Sequence, residues 1–180
     1  MTTDKDNDKT DNTDYLDDRS ITLSHIMTPE MGNFAGNIHG GHILHLLDQA
    51  AYACAVNYCS SYVVTLSADH VLFKQPIKVG EYVTFLANIN FVGKSSMEVG
   101  IKVVAKNLET KIERHALTCY FTMISVNDDI KSIAAPQLNM RNARDERRYA
   151  EAKMRKEINT EYREKHRQLK ARGLPPGSGK

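Results

Sequence analysis

Asp48 is the residue of this chain whose setting most suggests chemistry. It sits in HILHLLDQAAYACAVNY (42–58), flanked by Leu46, Leu47, Ala50 and Ala51. That run has no Gly or Pro, and its apolar residues fall nearly all round a helical wheel, so a buried helix is predicted over 42–58. A carboxylate in mid-helix is then expected to be buried, which is rare unless the group is paired or functional. It would serve as a general base. The plainer alternative is a structural Asp bonded to a neighbouring Ser, Thr or Tyr.

Gly40–Gly41 stands at the start of the same helix. The first turn of a helix leaves backbone N–H groups unpaired, and the helix dipole adds partial positive charge there. Glycine lets a ligand approach that backbone closely, so these amides could polarise a carbonyl or hold an oxyanion. A tight turn into the helix is the ordinary alternative. Seven residues separate Gly41 from Asp48, about 10 Å along a helix axis. A base must lie within about 3 Å of the atom whose proton it takes. One chain's Asp48 is therefore too far from a carbonyl held at its own Gly41. A second subunit with its helix running antiparallel would bridge the gap, which predicts a composite site at a dimer interface.

His39, His42 and His45 crowd the same stretch, with His45 three residues before Asp48. The spacing shares a helical face, yet no HExxH-type motif or clear third ligand accompanies it. A polar lining of a substrate mouth is the better reading, and no metal is expected. Cys54 and Cys59 read as small buried apolar residues. With Cys119 they are too few and too scattered for a disulfide framework.

The elements that must position these residues follow from periodicity. Residues 20–28 read as a short strand, 29–41 as a loop with four glycines, and 62–73 as a second strand. Val83, Phe85, Ala87, Ile89 and Phe91 alternate with mostly polar neighbours. Met97, Val99, Ile101, Val103 and Ala105 do the same, as do Leu117, Cys119, Phe121 and Met123. Turns at 93–94 and 107–110 make hairpins, so the sheet is predicted antiparallel. An α+β architecture results, with a five-stranded antiparallel sheet wrapped around one apolar helix. A sheet of that size covers only part of the helix, and the remainder is expected to meet another subunit.

Charge divides the chain of 180 residues into three zones: −4 over residues 1–19, −1 over 20–140 and +7 over 141–180. The acidic head has almost nothing apolar and is predicted disordered. Residues 20–133 form the folded domain and 134–180 a basic helical extension. No stretch approaches the roughly 18 apolar residues of a membrane span, and the N-terminus lacks the apolar region of a signal peptide. A cytoplasmic protein is expected.

GNIHGGHILHLLDQAAYACA (36–55) resembles the active-site loop and central helix of the hotdog-fold acyl-CoA thioesterases, acyl-CoA hydrolase subgroup. VVTLSADHVLFKQPIKVGEYV (63–83) is similar to the strands that follow in that family. VGKSSMEVGIKVVAKN (92–107) resembles the hairpin near which it binds coenzyme A. The resemblance covers about 20–133. It implies hydrolysis of fatty acyl-CoA to free fatty acid and coenzyme A, a part in fatty acid metabolism, and a homodimer often assembled into a trimer of dimers. No cofactor is implied beyond coenzyme A, which is part of substrate and product.

By that resemblance Asn37 matches the catalytic asparagine, Asp48 the helix carboxylate, and Gly40 and Gly41 the backbone donors. In the family the asparagine and the carboxylate come from opposite subunits. Gly93, Lys94, Ser95 and Ser96 match the region that approaches coenzyme A. The implied mechanism has Asp48 acting as general base on water or attacking the thioester itself to give an anhydride. A hotdog hydratase or dehydratase would be expected to carry a His-centred base instead. A non-catalytic acyl-CoA-binding regulatory module is the remaining alternative.

Residues 141–172 lack Gly and Pro and are predicted to form a long solvated helix, with Glu151–Arg155 and Glu161–Lys165 as supporting i,i+4 pairs. Ala150, Met154, Ile158, Tyr162 and Leu169 form a narrow apolar stripe, expected to pack on the core or on a neighbouring subunit. The competing reading is that the positive face binds an anionic partner such as nucleic acid, a membrane surface or coenzyme A phosphates. Nucleic acid is not expected.

Overall fold

The computed structural model describes residues 18–69 and 71–171. Most of the acidic head and the last nine residues lie outside the described residues. Strand β1 (Ser20–Ile26) leads through a 3₁₀ turn (Pro29–Met31) to helix α1 (Gly40–Cys59). Strands β2 (Tyr62–Asp69), β3 (Tyr82–Val92), β4 (Ser96–Lys106) and β5 (Glu113–Val126) follow, and helix α2 (Ala143–Ala171) closes the order. The sheet has five strands in the order β1-β3-β4-β5-β2. Every pairing is antiparallel.

Only β3–β4 and β4–β5 are hairpins. β2 pairs with β5 at one edge while β3 pairs with β1 at the other, so the segment between β2 and β3 crosses the sheet. That crossing is why β2 stops at Asp69 and not at the predicted residue 73: beyond it the chain must leave β5. α1 is longer than predicted by two residues at its start, and Gly40 and Gly41 form its first turn. Ser60, in the left-handed region at φ 51°, ends it with its N–H donating to Val56 O.

One face of the sheet packs on α1. Leu47, Ala50, Ala51 and Cys54 are fully buried against a layer that includes Val83, Phe85, Ile101, Leu117 and Met123. Each large side chain taken from water there contributes about 1.5–3 kcal/mol. The predicted alternation holds in β4 and β5, but it breaks at the end of β3. A register irregularity between Ile89 and Phe91 inserts an extra residue. Side-chain parity inverts there, so Phe91 leaves the α1 face and packs its ring 5.0 Å from that of Tyr149 on α2.

α2 covers the other face of the sheet. Asn142 Oδ1 accepts from Asp145 N at its start, and Asp145 and Glu146 suit the positive end of its dipole. The face turned to the sheet is not the predicted apolar stripe. Met154, Ile158, Tyr162 and Leu169 are all exposed. Ala152 is buried instead, and polar side chains around it make the contacts. Arg155 donates two bonds to Glu98, at 2.6 and 3.1 Å, with its guanidinium 3.6 Å from the Tyr120 ring centroid. Asn159 donates to Asp69 at 2.8 Å. The expected Glu151–Arg155 pair therefore does not form: Arg155 is taken by Glu98, and Glu151 pairs with Arg147 at 2.6 Å. Glu161–Lys165 forms as predicted, at 2.6 Å.

Candidate active site

The loop before α1 is pinned from both sides. Asn33 N donates to Asn37 O at 2.7 Å, and Asn33 Oδ1 accepts from Ala35 N and Asn37 N. Gly36 takes φ 75°, a conformation that favours glycine, and closes the turn with its N–H on Asn33 O. Ile38 N donates to Ile77 O and His39 N to Met31 O. The Asn37 backbone is therefore fixed. Its side-chain amide has no partner among the described residues and is only half-buried.

The crossing segment that braces this loop is itself anchored by an ion pair between the buried Glu81 and the half-buried Arg114. Glu81 accepts from Arg114 through both carboxylate oxygens at 2.6 Å, and from Lys78 N at 2.9 Å. Arg114 also donates to Pro76 O. Burial pushes the Glu81 carboxyl upward, but the Arg114 hydrogen bonds and charge, with the Lys78 amide, hold it below the ordinary glutamate range.

At the start of α1 no side chain of the described residues caps the helix. His42 N and Ile43 N reach His39 O, while the amides of Gly40 and Gly41 have no acceptor among the described residues. A Cβ placed on Gly41 would meet nothing within 4 Å, so the space beside its Cα is open. Donors of this kind, aimed together with the Asn37 side chain at one oxygen, can stabilise a developing oxyanion.

Asp48 is exposed, contrary to the expectation of a buried carboxylate. The sheet of one chain covers one side of α1; the other side carries His42, Leu44, His45, Asp48, Gln49 and Tyr52, all exposed. Asp48 is nevertheless held. Its Oδ1 accepts from Thr65 Oγ1 at 2.7 Å, and Thr65 stands where β2 shifts register against β5. Thr65 was not marked by any spacing in the sequence, since only the fold sets β2 beside α1. His45 bonds Gln49 at 3.1 Å and not Asp48.

Tyr52 and Tyr62, with ring centroids 6.4 Å apart, lie beside this carboxylate on the same two elements, and Leu66 follows on β2. All three are exposed, as are Leu44, Leu72 and Phe73. A set of large apolar side chains of this extent, next to an edge strand, marks an interaction surface. Gly41 and Asp48 both belong to α1, about two turns and 10 Å apart. The structure brings Asp48 to Thr65; it does not bring it to the Gly40–Gly41 amides of its own chain.

The β3–β4 turn is tightly held. Gly93 N donates to Ser96 O, Ser125 N to Ser95 O and Ala135 N to Lys94 O. The Lys94 side chain is exposed. Met97 pairs with Met123, which pairs with Thr65. The end of the hairpin is thus two strand spacings, about 10 Å, from the residue that holds Asp48. Burial pushes the Cys119 thiol up to about 12, so it stays protonated and is no nucleophile.

Residues 35–112 match the model of the thioesterase superfamily. Protein VdlD of Helicobacter pylori is 43% identical over 147 residues, 82% of this chain and 84% of that protein. An uncharacterized acyl-CoA thioester hydrolase of Zymomonas mobilis is 32% identical over 63% of this chain and 76% of its own length. The crystal structure of an apo-hexameric acyl-CoA thioesterase superposes with a TM-score of 0.77 at 29% identity, over 79% of this chain and 92% of that one. No described helix is long and apolar enough to cross a membrane. With its antiparallel sheet curled on α1 and its Asn37–Gly41 loop leading into that helix, the chain belongs to the hotdog-fold acyl-CoA thioester hydrolases of the thioesterase superfamily.

Proposed function

We propose that this enzyme hydrolyses fatty acyl-CoA to free acid and coenzyme A at sites shared by two subunits. One observation carries the reading: a helix start with open amides and a tethered carboxylate occur on one helix, too far apart to serve one carbonyl, on a side left bare by its own sheet. Two copies meeting on that side, helices antiparallel, would each supply the half the other lacks. The hexameric relative supports such an assembly, with three dimers as the arrangement proposed.

In this site the thioester oxygen accepts from Gly41 N–H and the Asn37 side-chain amide, with Gly40 N–H beside them. Thr65 occupies Oδ1 of Asp48 and leaves Oδ2 to take a proton from water. The resulting hydroxide attacks the carbonyl carbon, and charge builds on the oxygen held by the amides. Collapse of the tetrahedral intermediate breaks the C–S bond. Coenzyme A leaves as a thiolate, which takes the proton back directly or through solvent. Hydrolysis in ¹⁸O-water under single-turnover conditions tests this route: label enters the fatty acid in the first turnover. Label found in the Asp48 side chain would show attack by the carboxylate and an anhydride instead.

The apolar surface beside Asp48 favours an alkyl chain as the acyl group. Thiol release over a panel of acyl-CoAs from C2 to C18 tests this directly. Turnover that rises with chain length supports the fatty acyl reading. No release from any member would refute hydrolysis.

A further inference from the structure

The register irregularity before Phe91 has a second consequence. Turned to the outer face, the Phe91 ring supports the Lys156 ammonium, 4.7 Å from its centroid. The same ammonium borders the hairpin: a Cβ on Gly93 would lie 3.0 Å from Lys156 Nζ and 2.8 Å from Ser96 Oγ. A lysine of α2 is therefore seated at the root of the Gly93–Ser96 turn, and the bare glycine leaves it room. Ser96 Oγ makes no hydrogen bond among the described residues. Lys153 lies one turn earlier on the same helix, and neither lysine is within ion-pair distance of a carboxylate among the described residues.

Beside this seat runs a groove of about 730 Å³, lined by Phe91, Lys153, Lys156, Glu157, Thr160 and Glu164, among others. Its volume is in the range of small-molecule sites. Two of its carboxylates are already paired, Glu161 with Lys165 at 2.6 Å and Glu164 with Arg167 at 3.1 Å. Glu157 is the remaining carboxylate of this groove, against Lys153 and Lys156; on the other side of Lys156, Glu98 is paired with Arg155 and Asp69 is bonded to Asn159, so the lysine end carries net positive charge. Ammonium groups bind phosphate as point charges, and a hydroxyl alongside supplies a directional donor.

We infer that Lys156, seated on Phe91 and assisted by Lys153 and Ser96, binds the 3′-phosphate of the adenosine end of coenzyme A. The inference rests on the acyl-CoA reading above and assigns α2 a part in holding substrate, which the hairpin alone does not supply. A free nucleotide offers the same phosphate chemistry, so the test must separate the two.

Calorimetric titration of the full-length assembly with adenosine 3′,5′-bisphosphate, 5′-AMP and ATP does so. The bisphosphate should bind more tightly than either other nucleotide. Lys156→Met should weaken it about three- to tenfold, as for one charged contact at a partly open site. Phe91→Leu keeps the charge but removes its seat and should weaken it about twofold. Lys111→Met, a lysine on the β4–β5 turn, should leave the affinity unchanged. Bisphosphate binding that is the same in Lys156→Met and wild type would overturn the inference, as would ATP binding as well as the bisphosphate. So would the absence of any bisphosphate binding. Assay of acyl-CoA hydrolysis by the same wild-type preparation then shows whether the underlying reading has failed too.

Discussion

The two helices lie on opposite faces of one sheet and are held there by different physics. α1 is attached by shape: small and branched apolar side chains fill the sheet's inner face. α2 is attached by polar geometry. Its sheet side makes a bidentate Arg155–Glu98 pair, a guanidinium over Tyr120 and the Asn159–Asp69 bond. Each helix also leaves unexpected residues outside. α1 exposes Leu44, Asp48 and Tyr52; α2 exposes Met154, Ile158 and Tyr162. Hydropathy states how much of a helix is buried, and a wide apolar helix beside a one-layer sheet needs a second layer from elsewhere. It does not state which side of a charged helix packs, because paired ions and hydrogen-bonded amides can be buried as well.

The largest effect is expected at Asp48. Asp48→Ala should lower kcat by about 10²–10⁴-fold, the usual contribution of a general base, with circular dichroism and melting unchanged because the residue is exposed. Wild-type turnover in that variant would remove the Asp48 carboxylate from the chemistry and leave α1 only its N-terminal amides to contribute. Thr65→Val should produce a smaller loss of kcat with little change in KM, since it frees the carboxylate without removing it. Equal kcat in Thr65→Val and wild type would show that the tether has no part in catalysis.

The contrast in packing predicts a contrast in stability. Leu47→Ala opens a cavity under the sheet and should cost about 2–5 kcal/mol in urea unfolding. Ile158→Ser, on the exposed stripe of α2, should stay within about 0.5 kcal/mol. A large loss at Ile158 would mean that the stripe is covered in the assembly and that the two helices are less different than their single-chain packing shows.

A subtler difference should follow from pH. The Glu81 carboxyl is held below its unfolded value by Arg114. Its contribution is therefore fully present above the unfolded pKa, near the ordinary 4.3, and is lost as pH falls through the lower folded value. Wild-type stability should decline across that acid window. Glu81→Gln should be less stable at neutral pH and show a shallower decline on acidification. A decline of equal slope in both proteins would place the acid sensitivity elsewhere.

Much of this was legible in the residues themselves. Strict alternation identified the inner faces of β4 and β5, and the Gly40–Gly41 pair ahead of an apolar run located the helix start. Phe91 was not legible, because one extra residue in β3 inverts every parity beyond it and no single residue type announces a bulge. The exposure of Asp48 was hidden for a related reason: its neighbours Leu46, Leu47, Ala50 and Ala51 are buried, yet it stands on the opposite side of the same turns. Thr65 and Lys156 required the fold, since partners 17 residues from Asp48 and 63 from Gly93 are brought in only by strand order and by the path of α2.

The shared site is the central claim, and subunit mixing tests it most directly. Asn37→Ala and Asp48→Ala, each nearly inactive alone, are unfolded together in equal amounts and refolded. Random pairing makes about half the dimers mixed, and each mixed dimer has one site with both residues native and one with neither. By symmetry roughly a quarter of wild-type activity should return. With mixing verified by distinguishable tags, no recovery above the two parent variants would contradict a site built from Asn37 of one subunit and Asp48 of the other.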